Sequence, residues 1–352
     1  MSGKKFVRLS LIMTAAMLAF VAAVNILIDP LFQYHKPWFG LEPVITNERY
    51  QNAGVIKHFD FDNAILGTSL SENFRVSEVN DTFGGGSAKL TMYGSSIYNM
   101  TYQMELMKKR ENKPKIIMSD ISPLLFEASS DTLRNPLPTF LYNNTPLDDA
   151  EYWWNFSILN DFTFQEVMLN INHSVPDYDT VFVAEESRNG GKEIALSRYG
   201  RPTVSTESVD AQNYLILERK NLALFTQYFD VMHETEFVFF MAPFSMLYWD
   251  EQTRLNRIST IKAAYLEACE ILTSYDNVKI YLWTDEAMLS VMSDLDNYVD
   301  MYHYSAQVSS EMLRRIKADQ GLVTKETYQA QVDSFFNFID SFDYESMFAK
   351  DY

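Results

Sequence analysis

The sequence predicts an α/β protein in which a central parallel sheet is covered by helices on both faces, behind one N-terminal helix able to cross a membrane. Short apolar runs at Ala64–Leu66, Lys89–Tyr93, Lys115–Met118, Glu236–Met241 and Val278–Trp283 alternate with segments of helical period. That alternation is the signature of strands joined by crossover helices. Of the 352 residues, 47% are apolar and 14% aromatic, enough to bury a substantial core. Finally, the stretch from Leu9 to Ile28 is interrupted only by Ser10, Thr14 and Asn25, and about twenty apolar residues span a hydrocarbon core as a helix.

At the N-terminus, Lys4, Lys5 and Arg8 precede the apolar stretch, which the positive-inside rule reads as a cytoplasmic end with everything after Asp29 outside. The apolar run is longer than a cleavable signal needs and lacks a small-residue exit, so an uncleaved anchor over residues 1–30 is expected. Residues 31–352 are then the extracytoplasmic domain. Leu31 to Glu48 is rich in aromatics and prolines without a period, which reads as a segment along the membrane surface or an arm over the domain, with His35 and Trp38 as interfacial anchors. The first strand, Ala64–Leu66, breaks at Gly67. The second, Lys89–Tyr93, leads into a helix over Tyr98–Lys109, and Pro114 introduces the third.

From about residue 122 to 226 the periodicity loosens, and this is expected to be an insertion beside the site, with Tyr142, Trp153 and Trp154 either a platform for sugar rings or a small subsidiary core. Order returns with a helix over Leu215–Glu234, the strand Glu236–Met241, a helix over Arg254–Leu272 and the last expected strand, Val278–Trp283. Helices over Val308–Ile316 and Glu326–Phe342 close the chain.

The formal net charge of −18 argues against binding nucleic acid or anionic lipid through a basic surface and suits a neutral or cationic polymer better than a polyanion. The single cysteine, Cys269, excludes an internal disulfide and any multi-cysteine metal site. No compact His/Asp/Glu cluster has metal-ligand spacing, so no cofactor is expected.

Chemistry-bearing residues concentrate in two places. In Phe61–Phe74 (FDNAILGTSLSENF), Ser69 follows the first strand on a turn that Gly67 permits, ahead of an expected helix whose free N–H groups would stabilise an oxyanion. Far downstream, Asn297–Ser305 (NYVDMYHYS) places Asp300 three residues before His303, close enough for the carboxylate to orient the imidazole. A serine nucleophile needs such a base, and the base needs such an orienting group. Strand ends are where open α/β sheets put their ligands, which makes Ser245, Tyr248 and Trp249, after Glu236–Met241, candidate substrate contacts, with Asp120 at the end of the third strand.

An early serine combined with a late Asp-x-x-His resembles the SGNH (GDSL-like) hydrolase family, and within it the membrane-anchored bacterial members related to DltD and the alginate O-acetylation proteins. The likeness runs from Phe61 to Ile316. It implies a three-layer, flavodoxin-like domain with Ser69 as nucleophile, His303 as base and Asp300 as orienting acid. Gly94, in KLTMYGSS, corresponds to the glycine whose N–H joins that of Ser69 in the oxyanion hole. Where the family's third block offers an asparagine, this chain has Ser119-Asp120, and Thr68 stands where the family name implies aspartate. The resemblance further implies acyl transfer to a cell-surface glycan or teichoic-acid-type acceptor, beside a membrane-bound O-acyltransferase partner. Three other readings stay open on the sequence alone: an esterase with the same three residues, a catalytically silent scaffold, and a phosphodiesterase or metal hydrolase.

Overall fold

A computed structural model of the chain describes residues 3–143, 145, 148–183, 190–207 and 210–348. The parts of the expected insertion at 144, 146–147, 184–189 and 208–209 lie outside these. The chain divides into two compact units, one comprising Met1–Asp60, Glu105–Arg110 and Leu137–Val181, the other Phe61–Met104, Glu111–Pro136 and Phe182–Tyr352.

The second unit is built on a six-stranded sheet: β1 (Asn63–Ile65), β2 (Ser87–Lys89), β3 (Ile116–Ile121), β4 (Glu236–Met241), β5 (Val278–Tyr281) and β6 (Leu322–Val323). Their order is β2-β1-β3-β4-β5-β6, parallel throughout except for β6, which runs antiparallel to β5 at the edge. Phe237 to Met241 of β4 are all buried, the pattern of a strand covered on both faces. One set of helices pairs Val76–Phe83 with Ala306–Lys317, where Ser310 Oγ donates to Glu78 at 2.8 Å. Another packs Ala211–Phe229 against Ile258–Leu272, and the latter against Tyr328–Ser341. The chain therefore has helices on both sides of a mostly parallel sheet. Because β1 leads to β2 on one side and β3 follows on the other, the strand order reverses at β1/β3, and such a reversal opens a crevice outside the carboxyl ends of the strands.

Several elements depart from the sequence pattern. The second strand lies at Ser87–Lys89 rather than 89–93, although Leu90 and Met92 continue its ladder with N–H bonds to Ile65 and Gly67 carbonyls. Ser119 and Asp120 belong to β3 instead of following it. The helix expected over 254–272 starts at Ile258 and runs to Leu272, and a separate helix, Met246–Arg254, precedes it, the two parted at Asn256, whose φ of 55° no helix accommodates. β6 was not expected at all, since two residues carry no period.

The first unit is helical. Gly3–Ile28 is a 26-residue helix with mean hydropathy 2.5 over its most apolar window, long and apolar enough to cross a membrane. Most of its length is exposed, but its last turns pack on Ala150–Trp153 and Ile158–Thr163. Asn25 is fully buried there: its Nδ2 donates to the carbonyls of Tyr152, Trp153 and Asn155, and its Oδ1 accepts from Thr163. Immediately after the helix, the buried Asp29 carboxylate accepts from the amides of Gln33, Tyr34 and His35 at 2.8–2.9 Å and from the Tyr152 hydroxyl at 2.6 Å. His35 and Trp38 stack at 3.6 Å. Tyr142 is buried and bonded to the Arg49 carbonyl, and Trp153 donates to Tyr34, so of the three expected platform rings only Trp154 is exposed.

Candidate functional site

After β1 the chain turns sharply. Gly67 has φ of 121°, and a Cβ there would meet Asp120 Oδ1 and the Ser71 side chain, so both the conformation and the space require glycine. Asp120, wholly buried at the carboxyl end of the neighbouring β3, organises the turn from below. It accepts from the Thr68 amide at 2.8 Å, the Thr68 hydroxyl at 3.2 Å and the Ser71 hydroxyl at 2.8 Å. Burial raises the Asp120 pKa, and the bonds from Thr68 and Ser71 pull it back. The residues after Ser69 form turns closed by Ser71 N–H to Thr68 O at 3.0 Å, and the helix begins only at Val76. The expected helix N-terminus behind Ser69 is thus replaced by a turn, because side chains at 68, 71 and 73 bond to neighbours instead of yielding to a helix ladder.

The second loop is equally tight. Tyr298 and Tyr304 form an isolated antiparallel bridge, and inside it the Asp300 carboxylate accepts from the amides of Tyr302 at 2.8 Å and His303 at 2.7 Å. Ser245 is buried, and its amide and hydroxyl both donate to Met301 O, which moors the loop to the end of β4. The two loops are clasped directly: the Tyr304 hydroxyl donates to Leu70 O at 2.6 Å, and Asn73 Nδ2 donates to Tyr304 O at 2.7 Å.

That clasp sets Ser69 Oγ 2.9 Å from His303 Nε2, while His303 Nδ1 lies 2.8 Å from Asp300 Oδ2 and 3.0 Å from Oδ1. An imidazole nitrogen facing a carboxylate must carry the hydrogen, which leaves Nε2 as the acceptor toward the serine hydroxyl. Burial would raise the Asp300 pKa, but the bonds from His303 and from the two amides outweigh it and hold the carboxyl below its ordinary range. Asp300 is therefore ionised at neutral pH.

Ser69 and His303 open into a cavity of about 490 Å³ whose walls include Tyr93, Gly94, Leu124, Arg134, Asn135 and Tyr302. Among the described residues, neither the Ser69 nor the Gly94 backbone N–H donates to a protein acceptor. Gly94 adopts φ of 59°, and its carbonyl accepts from Asn135 Nδ2 at 2.7 Å. Asn135 is held in turn by Asn99, which donates to Asn135 O and accepts from the Arg134 amide and the Ser96 hydroxyl. One Asn135 amide hydrogen is engaged by Gly94, leaving the other available beside it. Arg134 is exposed at this wall and forms no ion pair among the described residues.

Ser69, His303, Asp300 and Gly94 are thus brought together. The four residues expected to meet substrate are not at the cavity, and that expectation is corrected. Asp120 spends its oxygens on the Ser69 turn and Ser245 on Met301. Tyr248 and Trp249 are wholly buried in an aromatic cluster with Phe244, Tyr265, Phe335 and Phe336. The helix Met246–Arg254 turns that pair inward onto the core. The front of the expected insertion supplies what the sequence reading missed, Arg134 and Asn135. Their one visible signal is a basic residue and an amide just ahead of Pro136 in an irregular run.

No family model and no curated protein matches the chain. Among solved structures, it is similar to one from Streptococcus pneumonia described provisionally as a platelet activating factor. The likeness covers 83% of this chain and 91% of that one, at 11% identity and a TM-score of 0.38. A match that distant carries no argument about function.

Proposed function

We propose that the protein is a serine acyl-transfer enzyme of SGNH type, anchored by its N-terminal helix, with Ser69, His303 and Asp300 as its triad. The observation that carries this reading is the unbroken chain from Ser69 Oγ to His303 Nε2 and from Nδ1 to the ionised Asp300 carboxylate. His303 takes the Ser69 proton as Oγ attacks an ester or thioester carbonyl. The negative charge that develops on the carbonyl oxygen meets the unengaged Ser69 and Gly94 N–H groups, with the second Asn135 amide hydrogen beside them. His303 returns the proton to the leaving oxygen or sulfur. The acyl-enzyme is then discharged to a sugar hydroxyl, or to water, activated by the same imidazole. An acceptor on a surface glycan or teichoic-acid-type polymer, and an acyl supply from a membrane-bound O-acyltransferase, complete the proposal for a tethered extracytoplasmic enzyme. A flavodoxin-like strand order with the site at the β1/β3 reversal supports it.

The test is labelling of the full-length protein by a serine-reactive fluorophosphonate, with turnover of an activated acyl ester. Labelling should vanish in Ser69→Ala, and Asp300→Asn should lower turnover by about 10³–10⁴-fold, the scale seen when a triad loses its orienting carboxylate. Labelling that persists in Ser69→Ala would sink the proposal. Acetate release measured with and without a glycan acceptor separates the transferase from an esterase that uses the same three residues.

A further inference from the structure

Within the first unit, a second cavity of about 390 Å³ is lined by Gln33, Tyr34, Lys57, His58, Lys109 and Arg110 among others. We propose that it is a binding site for the anionic phosphate headgroup of a membrane lipid. Three cationic side chains, Lys57, Lys109 and Arg110, line this cavity with one carboxylate, Asp149, in a chain whose formal net charge is −18. The local excess runs against the whole.

How Lys57 and Lys109 are held points to a missing anion. Lys57 Nζ donates to two neutral oxygens, Gln33 Oε1 at 2.9 Å and Leu141 O at 2.7 Å, and its described contacts include no ion pair. Burial lowers its pKa to about 8, against the attraction of Asp149, Asp29 and Asp148. Arg110 is aimed by the carbonyls of Ile56 and Phe59 and lies within the attraction of Asp60. Lys109 is exposed, and its ammonium has no hydrogen-bond or ion-pair partner among the described residues. Asp149 is engaged by Gln33 Nε2 at 3.4 Å. A phosphate oxygen offers what the two neutral oxygens around Lys57 do not, a full negative charge with several acceptor positions.

The lipid source follows from the surroundings. Gln33 N–H donates to Asp29, the residue directly after the membrane-length helix, and Tyr34 is bonded to Trp153 and packs edge-on against Tyr152, the ring that itself donates to Asp29. The cavity wall is therefore tied to the end of the span. The same unit exposes Trp38, Phe39, Trp154, Phe156, Phe164 and Ile171, apolar and aromatic side chains of the kind that settle at a membrane–water interface. A headgroup at that depth would meet the basic cavity while its chains stay in the bilayer.

The proposal is independent of the serine chemistry. Full-length protein released from detergent micelles containing phosphatidylglycerol and phosphatidylcholine in equal amounts is examined by native mass spectrometry. The expected result is at least fivefold preferential retention of phosphatidylglycerol, lost in Lys109→Glu and in Lys57→Met. Lys109 is exposed, so its variant should keep the wild-type thermal midpoint and stays informative even where Lys57→Met misfolds. Equal retention of the two lipids, or a preference unchanged in Lys109→Glu, would overturn the site. Binding of sn-glycerol 3-phosphate without retention of phosphatidylglycerol would overturn the lipid assignment in favour of a soluble phosphate.

Discussion

Asp29 and Asp120 are the same device used in two places. Each is a buried carboxylate at the end of a regular element, Asp29 after the long N-terminal helix and Asp120 near the end of β3, and each gathers the N–H and O–H groups of a segment that has no ladder of its own. Burial raises the pKa of both, and the donors work against that rise. They differ in what the gathered segment does. Asp29 fixes the residues leaving the helix, whereas Asp120 fixes the turn that presents Ser69. A buried acid in this chain is therefore no marker of chemistry in itself; what it holds decides its importance.

Replacing each in turn separates the two roles. In Asp120→Ala three donors lose their acceptor, and the turn carrying Ser69 loosens. Fluorophosphonate labelling should slow by about 10²-fold or more, with a stability loss of about 3–5 kcal/mol by denaturant titration. Asp29→Ala orphans four donors and should cost a similar 3–5 kcal/mol, while the labelling rate of the folded fraction stays within about twofold of wild type. Equal slowing in both variants would abolish the distinction.

A third buried carboxylate sharpens the contrast. Glu218, inside helix Ala211–Phe229, is fully buried with neither oxygen hydrogen-bonded, and burial, aided by Glu267, raises its pKa to about 9. The unfolded chain gives up this proton above about 4.5 while the folded one keeps it, so the native state binds more protons in between. Stability should therefore fall as pH rises from about 4.5 to 9, by up to about 1.4 kcal/mol per pH unit. Glu218→Gln should remove this residue's share of that slope, seen as a shallower change between urea melts at pH 5 and pH 8; a slope equal to wild type would show that the carboxyl finds a partner. The smallest effect is expected from Tyr152→Phe, which takes one donor of four from Asp29 and should cost about 1–2 kcal/mol.

How much of this was legible in the sequence depends on whether a residue acts by its type or by its surroundings. Ser69 stands out because an apolar run breaks at a glycine before it, and Asp300 with His303 because their spacing is short. The sheet is legible where strands are long and apolar, as in Glu236–Met241, whose bounds match β4. Asn135 is different: its place beside Gly94 depends on Asn99 and Ser96, and no period links those three. Tyr248 and Trp249 look like surface contacts because they follow a strand end, yet the helix starting at Met246 rotates both rings inward. Asp120 belongs to the site's neighbourhood by its position at a strand end, but its task is set by the turn folded over it, whose Thr68 and Ser71 donors already occupy its oxygens.

The clasp between the two loops is read asymmetrically. Tyr304 contributes its hydroxyl and Asn73 its amide, but each is received by a main-chain carbonyl, those of Leu70 and of Tyr304 itself. Both acceptors belong to the main chain and survive a change of side chain at their own positions, whereas losing the phenol at 304 leaves the Asn73 amide as the remaining half of the grip that keeps serine and imidazole, 234 positions apart, within reach.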